Sequence, residues 1–175
     1  PCLLDMTWKG VRVNLEKAKK IEKGFVKQEK AILHEIKKDT GIDVEVWSAV
    51  SVAKAFDKFN IPYDRTGITK QPKFDKNFLN THKHPLAKKI VHARETNKAR
   101  ATFIDTIFRH EHEGRIHANI NQMRSESGLS GTATGRFSYN NPNLQQIPAR
   151  NKDIGPLIRS IFIPDEGCKW GSFDY

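Results

Sequence analysis

Apolar residues at Leu15, Ala18, Ile21, Phe25, Ile32 and Ile36 recur in steps of three, four and seven, with Lys and Glu in most positions between them. This stripe predicts one long amphipathic helix over about residues 15–38. Asn14 is suited to cap it, Lys37 and Lys38 lie in its last turn, and Thr40-Gly41 supplies a stop. A second stripe begins at Pro85 and runs through Leu86, Ile90, Ala93, Asn97, Ile104 and Phe108, with Ala101 beside it and Gly114 ending the turn that follows. Two long helices separated by about 45 residues pack most simply as an antiparallel pair. Between them, Ser48 to Phe59 and Phe74 to Asn80 are predicted as short helices, and Asp64 to Pro72 as a loop because of Gly67 and Pro72. After Gly114 the period changes to alternation, so strands are predicted over Arg115 to Met123, Thr132 to Ser138 and Trp170 to Asp174, with a Ser- and Gly-rich loop from Arg124 to Gly131. The expected fold is α+β, a long antiparallel helical hairpin followed by the first strands of an antiparallel sheet.

Charge adds a partner class. With 30 Lys and Arg against 20 Asp and Glu, the 175 residues carry net +10, which suits a polyanion; a solvated basic surface is the plain alternative. The only cysteines, Cys2 and Cys168, form no metal, redox or disulfide pattern, so a reducing compartment and a cytoplasmic location are expected. No apolar run approaches the roughly 20 residues of a membrane span, and no signal peptide is visible, so no membrane partner is expected. A start without Met and an end that breaks off in a strand-like run lead to the expectation that the parent protein continues on both sides.

Candidate chemistry concentrates toward the C-terminus. Asp174 closes a largely apolar run, where an ionised carboxylate needs a cation or hydrogen bonds to offset its desolvation. Magnesium, which takes one or two carboxylates plus phosphate oxygens and water, fits such a position beside a nucleotide; an Asp that caps a strand is the structural alternative. Arg136 follows Gly135, which lets the backbone approach a ligand, and its guanidinium reaches a phosphate or a base edge. Asn143, Gln145 and Gln146 carry amides suited to minor-groove acceptors that lie at equivalent places in every base pair. An ordinary turn after Pro142 is the other reading of these three. Arg94 and Lys98 share a stripe on the second long helix, with Arg100 displaced around the axis and Thr102 half a turn beyond. They are candidates for gripping successive phosphates, against the alternative of a solvated helix face. His110, His112 and His117, and separately His82 and His84, lack Cys partners and are read as turn histidines in preference to a zinc site.

Three strings in order, Thr134-Gly135-Arg136-Phe137-Ser138, Pro142-Asn143-Leu144-Gln145-Gln146-Ile147-Pro148-Ala149-Arg150 and the terminal Asp174-Tyr175, resemble the family A DNA polymerases, the bacterial DNA polymerase I type. Gln146, and Phe173 before the Asp, look like a phage form. Leu4, Met6 and Gly10-Val11-Arg12-Val13 resemble the approach to the polymerase domain, and Arg94 to Asp105 resembles the thumb pattern Arg-x-x-x-Lys-x-Lys-Ser-Thr-Tyr, with Arg100, Ala101 and Phe103 as substitutions. Gly114-Arg115-Ile116-His117 resembles the strand that follows.

The resemblance implies residues 1–13 as the end of a preceding domain, 14–113 as a helical thumb that holds product duplex, and 114–175 as the start of the palm. It implies Asp174 as the first of two metal-binding aspartates, with the Tyr175 carbonyl as a further ligand and two magnesium ions in the complete enzyme. Arg136 is implied at the primer end, Asn143 and Gln145 along the primer-template, Arg150 as the arginine that closes that motif, and Arg94 and Lys98 as thumb contacts to the backbone; Gln146, Arg100 and Thr102 stay DNA-binding candidates on their own chemistry. In the thumb-tip pattern Asn-x-x-Ser-x-x-Gln-Leu, only Ser48 carries over; Glu45, Ser51 and Val52 depart from it. Primer-template DNA and deoxynucleoside triphosphates are the implied partners, and the missing fingers and second Asp imply that these residues alone are inactive. The sequence leaves a processivity partner unassigned. A single-subunit RNA polymerase and a non-catalytic duplex-binding helical module are the rival readings; the first lacks the Thr-Gly-Arg and Pro-Asn-Leu-Gln strings, and the second has no use for Asp174.

Overall fold

A computed structural model describes residues 2–125, 131–149 and 151–171. In chain order it has α1 (Cys2–Lys9), β1 (Val11–Arg12), α2 (Leu15–Thr40), α3 (Ala49–Lys58), β2 (Asp64–Arg65), β3 (Pro72–Lys73), α4 (Lys76–Thr81), α5 (Pro85–Lys98), a π-helical segment (Ala99–Ile104) and α6 (Asp105–His110). Then follow β4 (Glu111–His112), β5 (Arg115–Ile116), β6 (Asn119–Asn121), β7 (Ser138–Asn140), a 3-10 turn (Leu144–Gln146) and α7 (Ile154–Arg159). The chain divides into two compact units, one formed by residues up to Glu22 and from Ala101 onward, the other by Lys23–Arg100. The expected α+β class holds.

The helical unit is built as its sequence pattern requires. Its core gathers Ile36 from α2, Val52, Ala53, Ala55 and Phe56 from α3, Leu79 from α4 and Leu86, Ala87, Ile90 and Ala93 from α5. Phe56 lies at the centre, within 4.8 Å of the Phe74 ring and 6.2 Å of Phe78, centroid to centroid. Each helix has its cap: Ser48 Oγ accepts from Ser51 N at 3.3 Å, Asp75 Oδ1 from Phe78 N at 2.8 Å, and His84 Nδ1 from Leu86 N at 3.2 Å. Pro85 occupies the first turn of α5, as predicted. Lys89 reaches Asp39 at 2.7 Å and Glu35 at 3.0 Å, while Gln28 meets His92 and Glu29 meets Asn97, so α2 and α5 run antiparallel. The predicted loop from Asp64 to Pro72 is instead a β-hairpin. Its strands are only two residues each, and it is closed by Thr66 N donating to Gln71 O and Lys70 N to Thr66 O.

In the other unit, β1, β5 and β4 form one antiparallel sheet in the order β1-β5-β4, with Val11 opposite Ile116 and Glu111 also opposite Ile116. Ile116, Ile104, Ile158, Ile161 and Ala18 are fully buried there, with Val13 and Ile107 nearly so. Asn14 caps α2 as predicted, its Oδ1 accepting from Lys17 N at 2.8 Å. Gly10 has φ +63, and a Cβ there would stand 2.7 Å from both His117 Nδ1 and Ile116 O, so only glycine fits. The predicted strand from Arg115 to Met123 is broken in two. After Ile116 the chain turns to α1, where His117 Nδ1 pairs with Thr7 O at 3.0 Å and Thr7 Oγ1 donates to Ala118 O at 3.3 Å. It resumes as β6, paired with β7. The strand predicted over Thr132 to Ser138 begins only at Ser138, because Gly135 takes φ +72 and Thr132 Oγ1 donates to Arg136 O at 2.7 Å, bending 132–137 into a turn. The strand predicted from Trp170 has its end, residues 172–175, outside the described residues.

The second long helix also departs from a single α-helical period. Buried positions follow Ala93, Thr96 and Ala99, then Ile104 and Ile107, so the expected seam through Asn97, Ala101 and Phe108 is left by one residue. The π-helical turn at Ala99–Ile104 accounts for the step of five from Ala99 to Ile104, since i to i+5 bonding inserts one residue and rotates everything after it, whereas the shift from Asn97 to Thr96 lies before the turn.

Candidate nucleic-acid interface

Residues 23–100 hold 17 Lys and Arg against nine Asp and Glu, and so carry eight of the chain's ten net positive charges. The charge that points to a polyanion is concentrated in the helical unit. Lys98 is exposed in the last turn of α5. Arg94, one turn earlier, is turned inward: its Nε donates to Val46 O at 2.7 Å and its Nη1 to Phe74 O at 2.8 Å. Two of its three nitrogens thus tie α5 to the segment before α3 and to the segment after β3. Burial pulls its guanidinium below the ordinary arginine pKa. Ser48 is half-buried and serves as the N-cap of α3. Arg100 lies in the π-helical segment, half-buried.

Trp47 and Asn97 complete this arrangement; the sequence pattern places Asn97 in the seam of the second long helix and assigns Trp47 no role. Trp47 Nε1 donates to Asn97 Oδ1 at 3.0 Å, Asn97 Nδ2 donates to Glu29 Oε1 at 2.8 Å, and the Arg94 guanidinium lies 5.4 Å from the Trp47 ring centroid. The available signal was an amide in the otherwise apolar seam of α5, which needs polar partners wherever it is covered.

In the other unit the structure brings several predicted residues together. A cavity of about 110 Å³ is lined by Thr102 of the π-helical segment and by Asn143 and Gln146 of the 3-10 turn region, over a floor that includes Ile107, Ile116 and Ile158. Asn143, Gln145 and Gln146 are exposed, and Arg136 is exposed beyond Gly135. Gln145 Nε2 donates to Phe137 O at 2.9 Å, and Asn143 Oδ1 accepts from Gln145 N at 3.1 Å. The amide run is thereby fastened to the residue next to Arg136, and the two strings read separately in the sequence form one surface. The peptide bond between Asn141 and Pro142, which opens the run, is cis.

Arg150, Asp174 and Tyr175 lie outside the described residues. Among the described residues no group of three His, Cys, Asp or Glu is placed to hold a metal ion. His112 and His117 line a separate cavity of about 970 Å³ beside α1, together with Trp8 and Arg115. No helix among the described residues is long and apolar enough to cross a membrane.

The sequence profile described as DNA polymerase family A matches residues 15–175. A "DNA-directed DNA polymerase" of Pseudomonas phage M6 is 34% identical over 183 aligned residues, covering 100% of this chain and 27% of that protein. "DNA polymerase I, thermostable" of Thermus aquaticus is 40% identical over 94 residues, 53% of this chain and 10% of its own length. Among solved structures, "POL domain of Pol1 from M. smegmatis complex with DNA primer-template and dNTP" superposes with a TM-score of 0.76 at 26% identity, over 94% of this chain and 28% of that one. The chain thus spans less than a third of the length of the phage polymerase and of the solved chain.

Proposed function

The chain belongs to DNA polymerase family A, and from that premise we propose that it is the part of a template-directed DNA polymerase that holds the primer-template and supplies the first catalytic carboxylate. The reaction joins the primer 3′-hydroxyl to the α-phosphate of an incoming deoxynucleoside triphosphate and releases pyrophosphate. The observation that carries this reading is the single surface formed by Arg136, Asn143 and Gln145, fastened by the 2.9 Å bond from Gln145 to Phe137 O. A guanidinium and exposed amides held together suit the acceptors that every base pair offers in the minor groove, so the surface tests pair geometry without reading sequence. Lys98, and the basic helical unit around it, grips phosphates, while Arg94 holds the segments beside it. Residues 14–113 act as thumb and 114–175 as the start of the palm.

Asp174 and the Tyr175 carbonyl are hard oxygen donors, the type magnesium prefers, and would hold it together with substrate phosphates. Bound magnesium favours the deprotonated primer oxygen and neutralises charge on the departing pyrophosphate. This chain's own part in the step is to place the primer end beside that carboxylate through Arg136, Asn143 and Gln145. The second carboxylate and the nucleotide-binding residues belong to the rest of the polymerase.

The test is Asp174→Asn in the full-length polymerase, with single-nucleotide extension and duplex affinity measured side by side. Extension is expected to be abolished and binding to stay within a few-fold, since an amide keeps the shape but loses the charge. Near-normal extension would overturn the metal assignment, and equal loss of both would make Asp174 structural.

A further inference from the structure

Trp47 is 54% exposed, yet its ring is not loose. The indole N–H is bonded to Asn97, Asn97 is bonded to Glu29, and the Arg94 guanidinium lies over the ring while itself bonded to two backbone carbonyls. Side chains from α2 and α5 therefore orient a large apolar surface that the core does not cover. Ordering a side chain costs conformational entropy, and here hydrophobic burial within the helical unit offsets little of that cost. Val50, the second residue of α3, is also exposed, so Trp47 and Val50 make a short apolar strip on a unit of net charge +8.

We propose that Trp47 is a preset apolar contact for the deoxyribose wall of duplex DNA. The inference rests on the duplex-holding function above and adds a contact of a different physical kind. The indole's one polar hydrogen is already taken by Asn97, so the ring has no hydrogen bond to give a ligand. In a duplex the bases are stacked inside, and the apolar surface left between phosphates is that of the sugars. A basic unit carrying an oriented apolar strip matches a backbone on which phosphates and sugars alternate. Arg94 and Asn97 act through Trp47 and are positioning residues. Because the contact is apolar and displaces no counterion, it strengthens binding equally at all salt concentrations, whereas a phosphate contact changes the salt slope.

The experiment is a salt titration of primer-template binding by the full-length polymerase, comparing wild type, Trp47→Ala, Trp47→Phe and Lys98→Ala. Covering about half of an indole, on the order of 100 Å² at roughly 25 cal/mol per Å², leads to an expected loss of about 70-fold for Trp47→Ala, with the log–log line displaced in parallel. Trp47→Phe keeps most of the apolar area and is expected to stay within about threefold of wild type. Lys98→Ala is expected to flatten the slope by about 0.9. Normal affinity of Trp47→Ala, a changed slope, or Trp47→Phe as weak as Trp47→Ala would each overturn the proposal. If Trp47→Ala does not fold, Val50→Ser is the substitute. Its expected loss is about threefold, and normal binding would overturn the proposal equally. Failure of the broader reading looks different, because wild type itself would then show no salt-dependent duplex binding.

Discussion

Replacing Arg94 by alanine separates a side chain that builds the helical unit from one that only touches DNA. In the folded chain its Nε and Nη1 donate to Val46 O and Phe74 O at 2.7 and 2.8 Å, and its guanidinium lies over Trp47. Alanine leaves two partly buried carbonyls without these donors, at about 1–1.5 kcal/mol each for sites that water partly reaches. It also removes a cation–π contact of about 0.5–1 kcal/mol. The expected destabilisation is therefore about 3 kcal/mol, which for a chain of 175 residues lowers the melting temperature by about 6–12 °C. Arg94→Lys keeps the charge but cannot bridge two carbonyls that lie on different segments, and it is expected to lose more than half as much. Thermal unfolding followed by circular dichroism, without DNA, is the assay. An Arg94→Ala variant melting within 1 °C of wild type would refute the reasoning and return Arg94 to the solvent-facing phosphate role that its spacing from Lys98 suggests.

Gly10→Ala, which places a methyl 2.7 Å from His117 Nδ1 and Ile116 O at φ +63, is expected to destabilise by about 1–3 kcal/mol, read from the urea midpoint; an unchanged midpoint would count against the close approach. The Asp75 carboxyl is held below its ordinary pKa, first by the Phe78 backbone N–H that it caps and then by Lys73. Its folded pKa is depressed, so its contribution is complete above the unfolded value of 3.8 and disappears as pH falls through the lower folded value. Unfolding midpoints measured down to pH 2 are therefore expected to fall less steeply for Asp75→Asn than for wild type, and parallel curves would refute the assignment. In the full-length polymerase, Arg136→Ala is expected to slow single-nucleotide incorporation by about 10- to 200-fold, the equivalent of one charge-assisted hydrogen bond, with a smaller effect on duplex affinity. Normal incorporation with weakened binding would make Arg136 a backbone grip.

The elements that could be read from the sequence are those in which period and end signals agree. Apolar steps from Leu15 to Ile36 lie between Asn14 and Gly41, and both ends of α2 fall where those residues put them. The π-helical turn could not be read, because Ala99–Ile104 contains good α-helix formers and differs only in which turn each N–H reaches. The hairpin of β2 and β3 was hidden for the opposite reason. Its polar residues show no alternation, and it is held by the Thr66 and Arg65 side chains, which bond within the turn. In the candidate interface, the strings around Arg136 and Asn143 stand out in the sequence because they are specific, and the structure adds the bond from Gln145 to Phe137 O that joins them. The inward turn of Arg94 was not legible, since an arginine on a helix face looks the same in sequence whether its nearest acceptor is a phosphate or the carbonyl of Phe74.

The division of the chain also orders its synthesis. One unit is continuous, Lys23–Arg100, while the other takes residues from both ends. On the ribosome, β1 therefore emerges long before its hydrogen-bonding partners in β5, Arg115 and Ile116. At roughly 5–20 residues per second, the intervening residues take about 5–20 s. Before that interval ends the helical unit has its whole sequence available, while Val11 and Arg12 still have no ladder to join. The helical unit is the part able to form first, and the sheet closes around an N-terminal segment that has waited for it.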